Sequence, residues 1–279
     1  MMINNNIRKT GIIGWPAKHS MSPRIHNYWI QKYNIKSEYI LLEVAPKNLK
    51  KTINELHLNG FSGVNITIPH KESVMPLVKN LDKNSVRLGA INTININEDG
   101  GLEGSNTDGY GFIRNLFEQQ PKWSINEPVV ILGAGGAARA IAFAMLDEGV
   151  PEVRIVNRSN RRGEDLIAHL GPRSLYVPWE FKEKALMDAH MLINATSLGM
   201  SGQPILDISL DNFSTSGCVV DIVYSPKETA LLKMSAKRGN KCIGGLGMLL
   251  YQAAASFSVW HDFTPEITQN LINIIEREI

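Results

Sequence analysis

Apolar and polar positions follow two alternating periods along the chain. Short runs rich in β-branched and other apolar residues, such as 7–14, 37–44 and 63–68, are each followed by a segment whose apolar residues recur every three to four positions. Strand-like and helix-like segments continue to alternate up to about residue 245, and two helical segments follow at 247–260 and 265–278. Such alternation is typical of α/β domains with a mostly parallel sheet.

A turn-rich segment near the middle of the chain, PKWSINEP at 121–128, precedes a new strand, a glycine turn and a helix. For 279 residues, a prior of about 100–200 residues per domain suggests two domains. We therefore predict two α/β domains. Within the first, we predict a helix from about residue 70, and in the last helix we predict Thr264 as the N-cap, with Pro265 at the first position.

Composition excludes several classes of protein. The net charge is +2 and no basic run exceeds two adjacent residues, so no nucleic-acid footprint is predicted. The longest apolar run, 140–146, is far short of the ~20 residues of a membrane span, and the first ten residues do not resemble a signal peptide. The two cysteines, Cys218 and Cys242, lie in strand-like stretches, which favours a reducing cytoplasm over a disulfide framework. The seven histidines show no metal-ligand spacing, so no metal site is predicted.

The segment GAGGAA contains a pattern that can bind a dinucleotide. Gly133 and Gly135 occupy the first two glycine positions of G-x-G-x-x-G/A, and Ala138 occupies the third. A strand precedes the turn and a helix follows it, so backbone N–H groups and the helix N-terminus can meet a pyrophosphate. A glycine turn with a purely structural role is the alternative.

The end of the next predicted strand indicates which dinucleotide would bind. An NAD site usually has Asp or Glu there to hold the ribose 2′-hydroxyl, whereas this chain has NRSNRR at 157–162. Arg158 and Arg162 can meet a 2′-phosphate, and Ser159 can donate to it. The pattern favours NADP, with a solvated basic loop as the alternative.

Polar residues recur where the strands of the first domain end, which is where open α/β sheets bind ligands. Ser20 and Ser22 are two positions apart, so in an extended segment their hydroxyls would point the same way and could grip one carboxylate. Polar residues among apolar neighbours need partners. The other polar residues at these strand ends are Asn65, Thr67, Asn92, Asn106, Thr107 and Asp108. Each alone could be a turn or cap residue, but together they predict a site.

At this point the chain resembles a known family. Its motifs HSMSP, NITIPHK, GAINT, NTDGYGF, GAGGAARA, NATSLGM, DIVYSP and GGLGMLLYQAA are similar, in order and from about residue 11 to 260, to those of shikimate dehydrogenases. The resemblance implies reduction of 3-dehydroshikimate to shikimate with NADPH, in the pathway to aromatic amino acids. The family usually has Thr after the Asn-Arg pair, where this chain has Ser159, and serine keeps the hydroxyl.

The resemblance also implies roles for individual residues. The substrate carboxylate would bind Ser20 and Ser22, and the other substrate contacts would be Asn65, Thr67, Asn92, Tyr224 and Gln252. The catalytic pair would be Lys71 and Asp108. The pyrophosphate would bind Gly133, Ala134, Gly135, Gly136 and Ala137, and the adenosine phosphate would bind Asn157, Arg158, Ser159 and Arg162. The nicotinamide would contact Ile222, Gly245 and Met248.

With this resemblance the domains can be assigned. We expect residues 1–107 to form the substrate-binding domain, 108–245 a Rossmann-like NADP-binding domain, and 246–279 helices that pack back on the first. We expect the active site in the cleft between the two domains, and a cytoplasmic monomer or homodimer that binds neither nucleic acid nor membrane.

Lys71 follows a strand and Pro69 at the start of the helix predicted from about residue 70, where a positive charge is unfavourable. Within the family resemblance, this helix N-terminus would disfavour the ammonium, and Asp108 would orient it for proton transfer to and from the substrate oxygen. An ordinary ion pair near a helix end is the alternative.

Two other functions stay open. An acidic residue after the second Rossmann strand would favour a quinate/shikimate dehydrogenase that also uses NAD. This chain has Asn157 and Arg158 there, which argues against it. Loss of Lys71 or Asp108 would favour a ligand-sensing regulator without turnover, but this chain has both residues.

The assignment of Arg158 predicts a cofactor-specific effect. Arg158→Ala should raise the KM for NADP by about 10-fold to 100-fold, because a charge-assisted contact to the 2′-phosphate is lost. The KM for NAD, measured with the same variant, should hardly change. Equal losses for the two cofactors would contradict the assignment.

Overall fold

The protein forms two compact units, seen in a computed structural model that describes residues 7–124 and 126–279. One unit combines residues 7–107 with 252–278, and the other contains the described residues of 108–251. The boundary in the C-terminal part of the chain therefore falls inside a helix, six residues after the start of the predicted segment 246–279.

Some sequence predictions fall on residues outside the described ones. These are the first six residues of the predicted domain 1–107, including most of the segment compared with a signal peptide, and Ile125 in the predicted break.

The elements of the described chain alternate as the hydrophobic pattern predicts. The first unit contains β1 (Arg8–Gly14), α1 (Ser22–Lys32), β2 (Ser37–Glu43), α2 (Leu49–Glu55), β3 (Phe61–Ile66), β4 (Asn80–Leu81), α3 (Lys83–Leu88), β5 (Thr93–Ile96) and β6 (Leu102–Ser105). The second contains α4 (Asp108–Gln119), β7 (Val129–Leu132), α5 (Gly136–Asp147), β8 (Val153–Asn157), α6 (Asn160–Leu170), β9 (Ser174–Pro178), β10 (Met191–Asn194), β11 (Cys218–Asp221), α7 (Ala230–Lys237) and β12 (Lys241–Ile243). The chain ends with α8 (Leu246–His261), which begins in the second unit and continues in the first, and α9 (Gln269–Glu276).

The first sheet has the strand order β2-β1-β3-β5-β6-β4. β1 is parallel to β2 and β3, and β4 is parallel to β6, whereas β5 is antiparallel to β3 and β6. Because β5 is reversed, its first residue, Thr93, pairs with Asn65 near the end of β3 and with Ser105 at the end of β6. One edge of the sheet therefore collects the ends of β1, β2, β3 and β6 together with the start of β5.

The second sheet has the order β12-β11-β10-β7-β8-β9, and all its neighbouring strands are parallel. The carboxyl ends of all six strands consequently lie at one edge. The glycine turn follows β7 in the middle of the sheet, and Asn157 ends the neighbouring β8. Two-sheet α/β architecture with a Rossmann-like second unit is therefore confirmed.

The helix predicted from about residue 70 is wrong. Residues 71–74 form turns, and only a short 3₁₀ turn, Met75–Leu77, follows. Pro76 explains the difference, because it has no N–H for an α-helical bond and its ring would clash with the carbonyl four residues earlier. Lys71 consequently does not lie at the N-terminus of an α-helix, and the expected action of a helix dipole on its charge has no basis in the structure.

The predicted cap of the last helix is also wrong. α9 begins at Gln269, and its N-cap is Thr268, whose side chain accepts a hydrogen bond from the N–H of Leu271. The segment before it lies along α1, where Trp29 Nε1 donates to the carbonyl of Glu266 at 3.1 Å and the Tyr28 hydroxyl lies 3.0 Å from Thr268 Oγ1. These contacts with α1 hold the segment in a non-helical course and delay the start of the helix.

The corrected cap can be tested by stability. Thr268→Ala should lower the free energy of unfolding by about 1 kcal/mol, the usual cost of losing a threonine N-cap. Thr264→Ala is the matched control and should change stability very little, because Thr264 is exposed. Unfolding in denaturant measures both variants. A larger loss for Thr264→Ala would contradict the assignment.

Candidate functional site

The end of β3 places a buried amide at the edge of the first sheet. Asn65 is only 4% exposed, and its Oδ1 accepts a hydrogen bond from the Tyr39 hydroxyl at 2.7 Å. Its Nδ2 donates to the carbonyl of Asn92 at 3.0 Å and to the Ser256 hydroxyl at 2.9 Å, with Thr93 Oγ1 at 3.3 Å. The amide is therefore held in one orientation from both ends.

The hydroxyl of Tyr39 connects this amide to helix α1. Burial raises the pKa of Tyr39 well above its ordinary value, and a hydrogen bond from Ser22 partly offsets the effect. The phenol therefore stays neutral and can act as a hydrogen-bond donor to Asn65. Ser22, which is 4% exposed, is linked to Asn65 through this single hydroxyl.

A second amide lies next to the first. Asn92 Oδ1 accepts from the backbone N–H of Thr107 at 2.9 Å and from Thr93 Oγ1 at 2.8 Å. Its Nδ2 donates to Thr107 Oγ1 at 2.9 Å and to Gln252 Oε1 at 3.4 Å. The structure thus brings together Asn92, Thr107 and Gln252, which are far apart in sequence. Asn106, also predicted here, donates from Nδ2 to the carbonyl of Ala90.

The serine pair is arranged differently from the prediction. Met21, between the two serines, has helical dihedral angles, and Ser22 is the first residue of α1. The extended geometry expected for the pair is therefore wrong. Ser20 Oγ accepts a hydrogen bond from the N–H of Ser22 at 3.3 Å, because the first N–H groups of a helix have no partner within it.

Lys71 and Asp108 are the two residues for which proton transfer is predicted. The carbonyl of Lys71 accepts a hydrogen bond from the N–H of Ile91 at 2.9 Å, so its backbone is fixed beside Asn92, and its side chain is half-buried. Asp108 directly follows Thr107, is 3% exposed and is the first residue of α4. A negative charge is favourable at that end of a helix. Thr67, half-buried, is joined through its N–H to the carbonyl of Ile13.

In the second unit, the glycine turn after β7 leaves open space at its second glycine. Gly133 has φ of +108°, which favours glycine. A Cβ at Gly135 would meet nothing within 4 Å, and Gly135 is the N-cap of α5 without a side chain to satisfy the N–H groups there. The remaining residues of the predicted turn are Ala134, which is buried, and Gly136 and Ala137, which begin α5.

The segment after β8 presents basic side chains at the start of α6. Arg158 and Arg162 are exposed, and Arg162 Nη2 lies 3.4 Å from the carbonyl of Ala134, which connects the arginine to the glycine turn. Ser159 is the N-cap of α6 and accepts from the N–H of Arg162. The Ser159 hydroxyl proton is not used by this cap. Asn157 Nδ2 donates to the carbonyl of Ser159 at 2.9 Å and closes the loop.

The predicted nicotinamide residues Ile222 and Gly245 lie against each other. A Cβ at Gly245 would overlap the carbonyl of Ile222, so only glycine allows this approach. Asp221, just before, is fully buried and accepts from Asn194 Nδ2 at 3.0 Å, from the N–H of Val223 at 3.1 Å and from Thr229 Oγ1 at 2.6 Å.

Burial raises the pKa of Asp221, and the hydrogen bonds partly counter the effect. This carboxylate fixes the turn that carries Ile222 and Tyr224. Tyr224 is half-buried, whereas Met248 in α8 is buried at 7% exposure.

Sequence reasoning missed several residues that hold the first network. Tyr39, Thr93 and Ser256 each contact a predicted site residue, and His26 stacks on Tyr39 with ring centroids 4.1 Å apart and planes 7° apart. A signal existed only for Ser256, which is a polar residue in an apolar helix, four positions after Gln252 and thus on the same face.

Within the described ranges, no group of three or more His, Cys, Asp or Glu residues could hold a metal ion. No helix among these residues is long and apolar enough to cross a membrane.

Comparison with known proteins identifies three segments by family models. Residues 12–94 match the shikimate dehydrogenase substrate binding domain, residues 116–212 match shikimate / quinate 5-dehydrogenase, and residues 245–269 match the shikimate 5′-dehydrogenase C-terminal domain. The shikimate dehydrogenase (NADP(+)) of Paramagnetospirillum magneticum is 44% identical over 270 residues, which cover 96% of this chain and 98% of the relative.

Solved structures with the same fold include enzymes bound to their ligands. Shikimate 5-dehydrogenase from Thermus thermophilus, in complex with NADP(H) and shikimate, has a TM-score of 0.86 and 31% identity, covering 98% of this chain and 100% of the other. Quinate dehydrogenase from Corynebacterium glutamicum, in complex with NAD, has a TM-score of 0.88 and 27% identity, covering 96% and 98%.

The buried ring of His26 predicts a pH effect on stability. Burial, with a smaller contribution from His261, lowers the pKa of His26 to about 3, whereas an unfolded chain has the ordinary value of 6.5. As the pH falls below that ordinary value, only the unfolded state takes up the proton, so the free energy of unfolding decreases. Between pH 7.5 and 5.5, His26 should contribute a loss of about 1.4 kcal/mol.

His26→Phe keeps an aromatic ring beside Tyr39 but removes the titration, so its unfolding free energy should fall less over this pH range. Denaturant unfolding at both pH values provides the measurement. His169→Phe, at an exposed site, should retain the wild-type fall. If His26→Phe showed the full wild-type decrease, His26 would not be its source.

Proposed function

The chain belongs to the shikimate dehydrogenase family, and we propose that it catalyses the reversible, NADPH-dependent reduction of 3-dehydroshikimate to shikimate. The main support is the pair of buried amides, Asn65 and Asn92, fixed at one edge of the first sheet by hydrogen bonds with each other and with residues of β2, β5 and α8. Such a site is suited to a small ring with several hydroxyl groups, because rigid amides can both donate to and accept from hydroxyls. The reaction would supply an intermediate of aromatic amino acid biosynthesis.

We assign the substrate contacts to the first unit, which includes Gln252 of α8, and to Tyr224. Ser20 and Ser22, at the start of α1, would donate to the carboxylate once the Ser22 hydroxyl turns to it from Tyr39, and the adjacent helix N-terminus favours an anion. The remaining contacts would come from Asn65, Thr67, Asn92, Tyr224 and Gln252. Asn65 and Asn92 would act mainly through their fixed orientation, since their polar atoms already have partners.

The second unit fits NADP. Open space at Gly135 permits close approach of a pyrophosphate, and the exposed Arg158 and Arg162 stand where an NAD site would have an acidic residue. Ser159 keeps a hydroxyl proton for the 2′-phosphate, and Asn157 closes the loop. Gly133 to Ala137 would hold the pyrophosphate, and Ile222, Gly245 and Met248 would contact the nicotinamide. When bound, NADPH supplies the hydride that reduces the ring ketone.

We assign proton transfer to Lys71 and Asp108. Hydride addition leaves negative charge on the former ketone oxygen, and Lys71 would donate a proton there and accept it back in the reverse reaction. Asp108 would orient the ammonium. This assignment now rests on the fixed backbone of Lys71 beside Asn92 and on the position of Asp108 directly after Thr107, and not on a helix dipole.

Two observations bear on the quinate/shikimate alternative: the structural likeness to quinate dehydrogenase and the match of residues 116–212 to shikimate / quinate 5-dehydrogenase, which names both substrates. The basic segment from Asn157 to Arg162 opposes NAD as the main cofactor. A sensor without turnover is less well supported, because Lys71 and Asp108 are both present. We further propose that the enzyme works in the cytoplasm as a monomer or homodimer, binding neither nucleic acid nor membrane.

The function is tested by the rate of reduced cofactor formation at 340 nm, with shikimate or quinate and with NADP or NAD in all four combinations. Shikimate with NADP should give the highest kcat/KM. A higher value for quinate with NAD would favour the alternative, and no turnover in any combination would favour a sensor.

The role of Lys71 predicts a loss in kcat. Lys71→Ala should lower kcat by about 100-fold to 10,000-fold, the usual contribution of a positioned acid–base group. The KM for shikimate should change much less, because the serines and amides still bind the ring. Lys71→Arg should lower kcat by a similar factor, since guanidinium does not release a proton near neutral pH. The double variant Lys71→Ala/Asp108→Asn should lower kcat by less than the product of the two single factors, because the two residues act as a unit.

Lys79→Ala is the control, because Lys79 is exposed in the same segment of the chain, and its kcat should be that of the wild type. Near-normal kcat in Lys71→Arg would show that the lysine acts only through its charge.

A further inference from the structure

Ser256 lies at the centre of the hydrogen bonds that fix the proposed substrate residues. The residue is fully buried in α8. Its hydroxyl accepts from Asn65 Nδ2 at 2.9 Å and lies 3.1 Å from the carbonyl of Gln252, 2.8 Å from Thr93 Oγ1 and 3.3 Å from Thr107 Oγ1. One hydroxyl therefore contacts residues from β3, β5, α8 and the segment before α4.

The available protons make this group of residues a single unit. Ser256 and Thr93 have one hydroxyl proton each. If Thr93 donates to Asn92 Oδ1, at 2.8 Å, then Ser256 can donate to Thr93. If Thr93 instead donates to Ser256, then Ser256 donates to Gln252 and Asn92 loses that donor. The orientation of the Ser256 hydroxyl consequently affects both amides, and such networks are cooperative.

We propose that Ser256 is a positioning residue for the substrate. Ser256 fixes the amide of Asn65 directly and that of Asn92 through Thr93. It thereby sets the orientation in which the two amides meet the hydroxyl groups of the ring. The inference rests on the proposed function, because it takes Asn65, Asn92 and Gln252 as substrate contacts. Without Ser256, a proton of the buried Asn65 amide loses its shorter hydroxyl acceptor and keeps only Thr93 Oγ1, at 3.3 Å, so the amide is held less firmly.

The test is the steady-state kinetics of full-length Ser256→Ala, with shikimate and NADP each varied while the other is saturating. The KM for shikimate should rise by about 5-fold to 100-fold, the ratio expected when a buried donor loses its partner. The KM for NADP should stay within about twofold of the wild type, and kcat should fall less than the shikimate KM rises, because the proposed proton donor is intact.

Ser235→Ala is the matched control. Ser235 is also fully buried, and its hydroxyl donates to the carbonyl four residues earlier, that of Leu231, at 2.8 Å, but it lies in α7 of the second unit. Its removal should leave the KM for shikimate unchanged. Thr93→Val removes the other hydroxyl of the pair without changing the shape of the side chain, and it should raise the same KM. The double variant should show less than the product of the two effects.

The outcomes separate this inference from the proposed function. If the wild type does not oxidise shikimate, the proposed function fails and the inference fails with it. If the wild type is active and Ser256→Ala keeps its shikimate KM, or raises the KM for NADP equally, the inference alone is overturned. Should Ser256→Ala not fold, Thr93→Val decides by the same criterion.

Discussion

The buried amide of Asn65 requires a hydrogen-bond partner for each of its polar atoms, and the first unit is arranged to provide them. Tyr39 comes from β2, Thr93 from β5 and Ser256 from α8. Because these residues belong to different elements, the requirement joins the sheet to the C-terminal helix. Thr93 Oγ1 also lies 2.8 Å from Asn92 Oδ1 and so links a second amide, that of Asn92, to the first. A rigid polar edge of this kind can bind a ring with several hydroxyl groups without a further loss of conformational entropy in its own side chains.

In the second unit, close packing at glycine backbones shapes the turns at the sheet edge. Gly245 lies against the carbonyl of Ile222, and a Cβ at Gly247 would overlap the side chain of Asn115. The carboxylate of Asp221 fixes the intervening turn through three hydrogen bonds. Parallel strands bring this turn and the glycine turn after β7 to one edge of the sheet. The basic loop after β8 lies at that edge as well, so a single sheet edge carries both parts of the proposed cofactor site.

The correction at residue 70 changes the physical account of Lys71. An α-helix there would have placed its positive end against the ammonium, but Pro76 prevents that helix. The structure instead fixes the lysine by a backbone hydrogen bond from Ile91, the residue before Asn92. The proposed proton donor is thus held by the segment just before β5, which also carries Asn92, and the proposal for its function rests on this placement rather than on a helix dipole.

The sequence by itself determined the α/β alternation, the glycine turn after β7, the basic segment that favours NADP and most of the polar residues of the site, because each depends on periodicity or on a local motif. Tertiary structure decided which of those residues meet. The reversal of β5 brings Thr93 beside Asn65, contacts with α1 move the last helix start from Thr264 to Thr268, and helical geometry at Met21 turns Ser20 towards the N–H of Ser22. Ser256 was signalled only as a polar residue in an apolar helix. Tyr39 and His26 carry no motif and could not be found from the pattern, since their roles come from contacts between segments distant in sequence, which only the packing of the sheet against its helices creates.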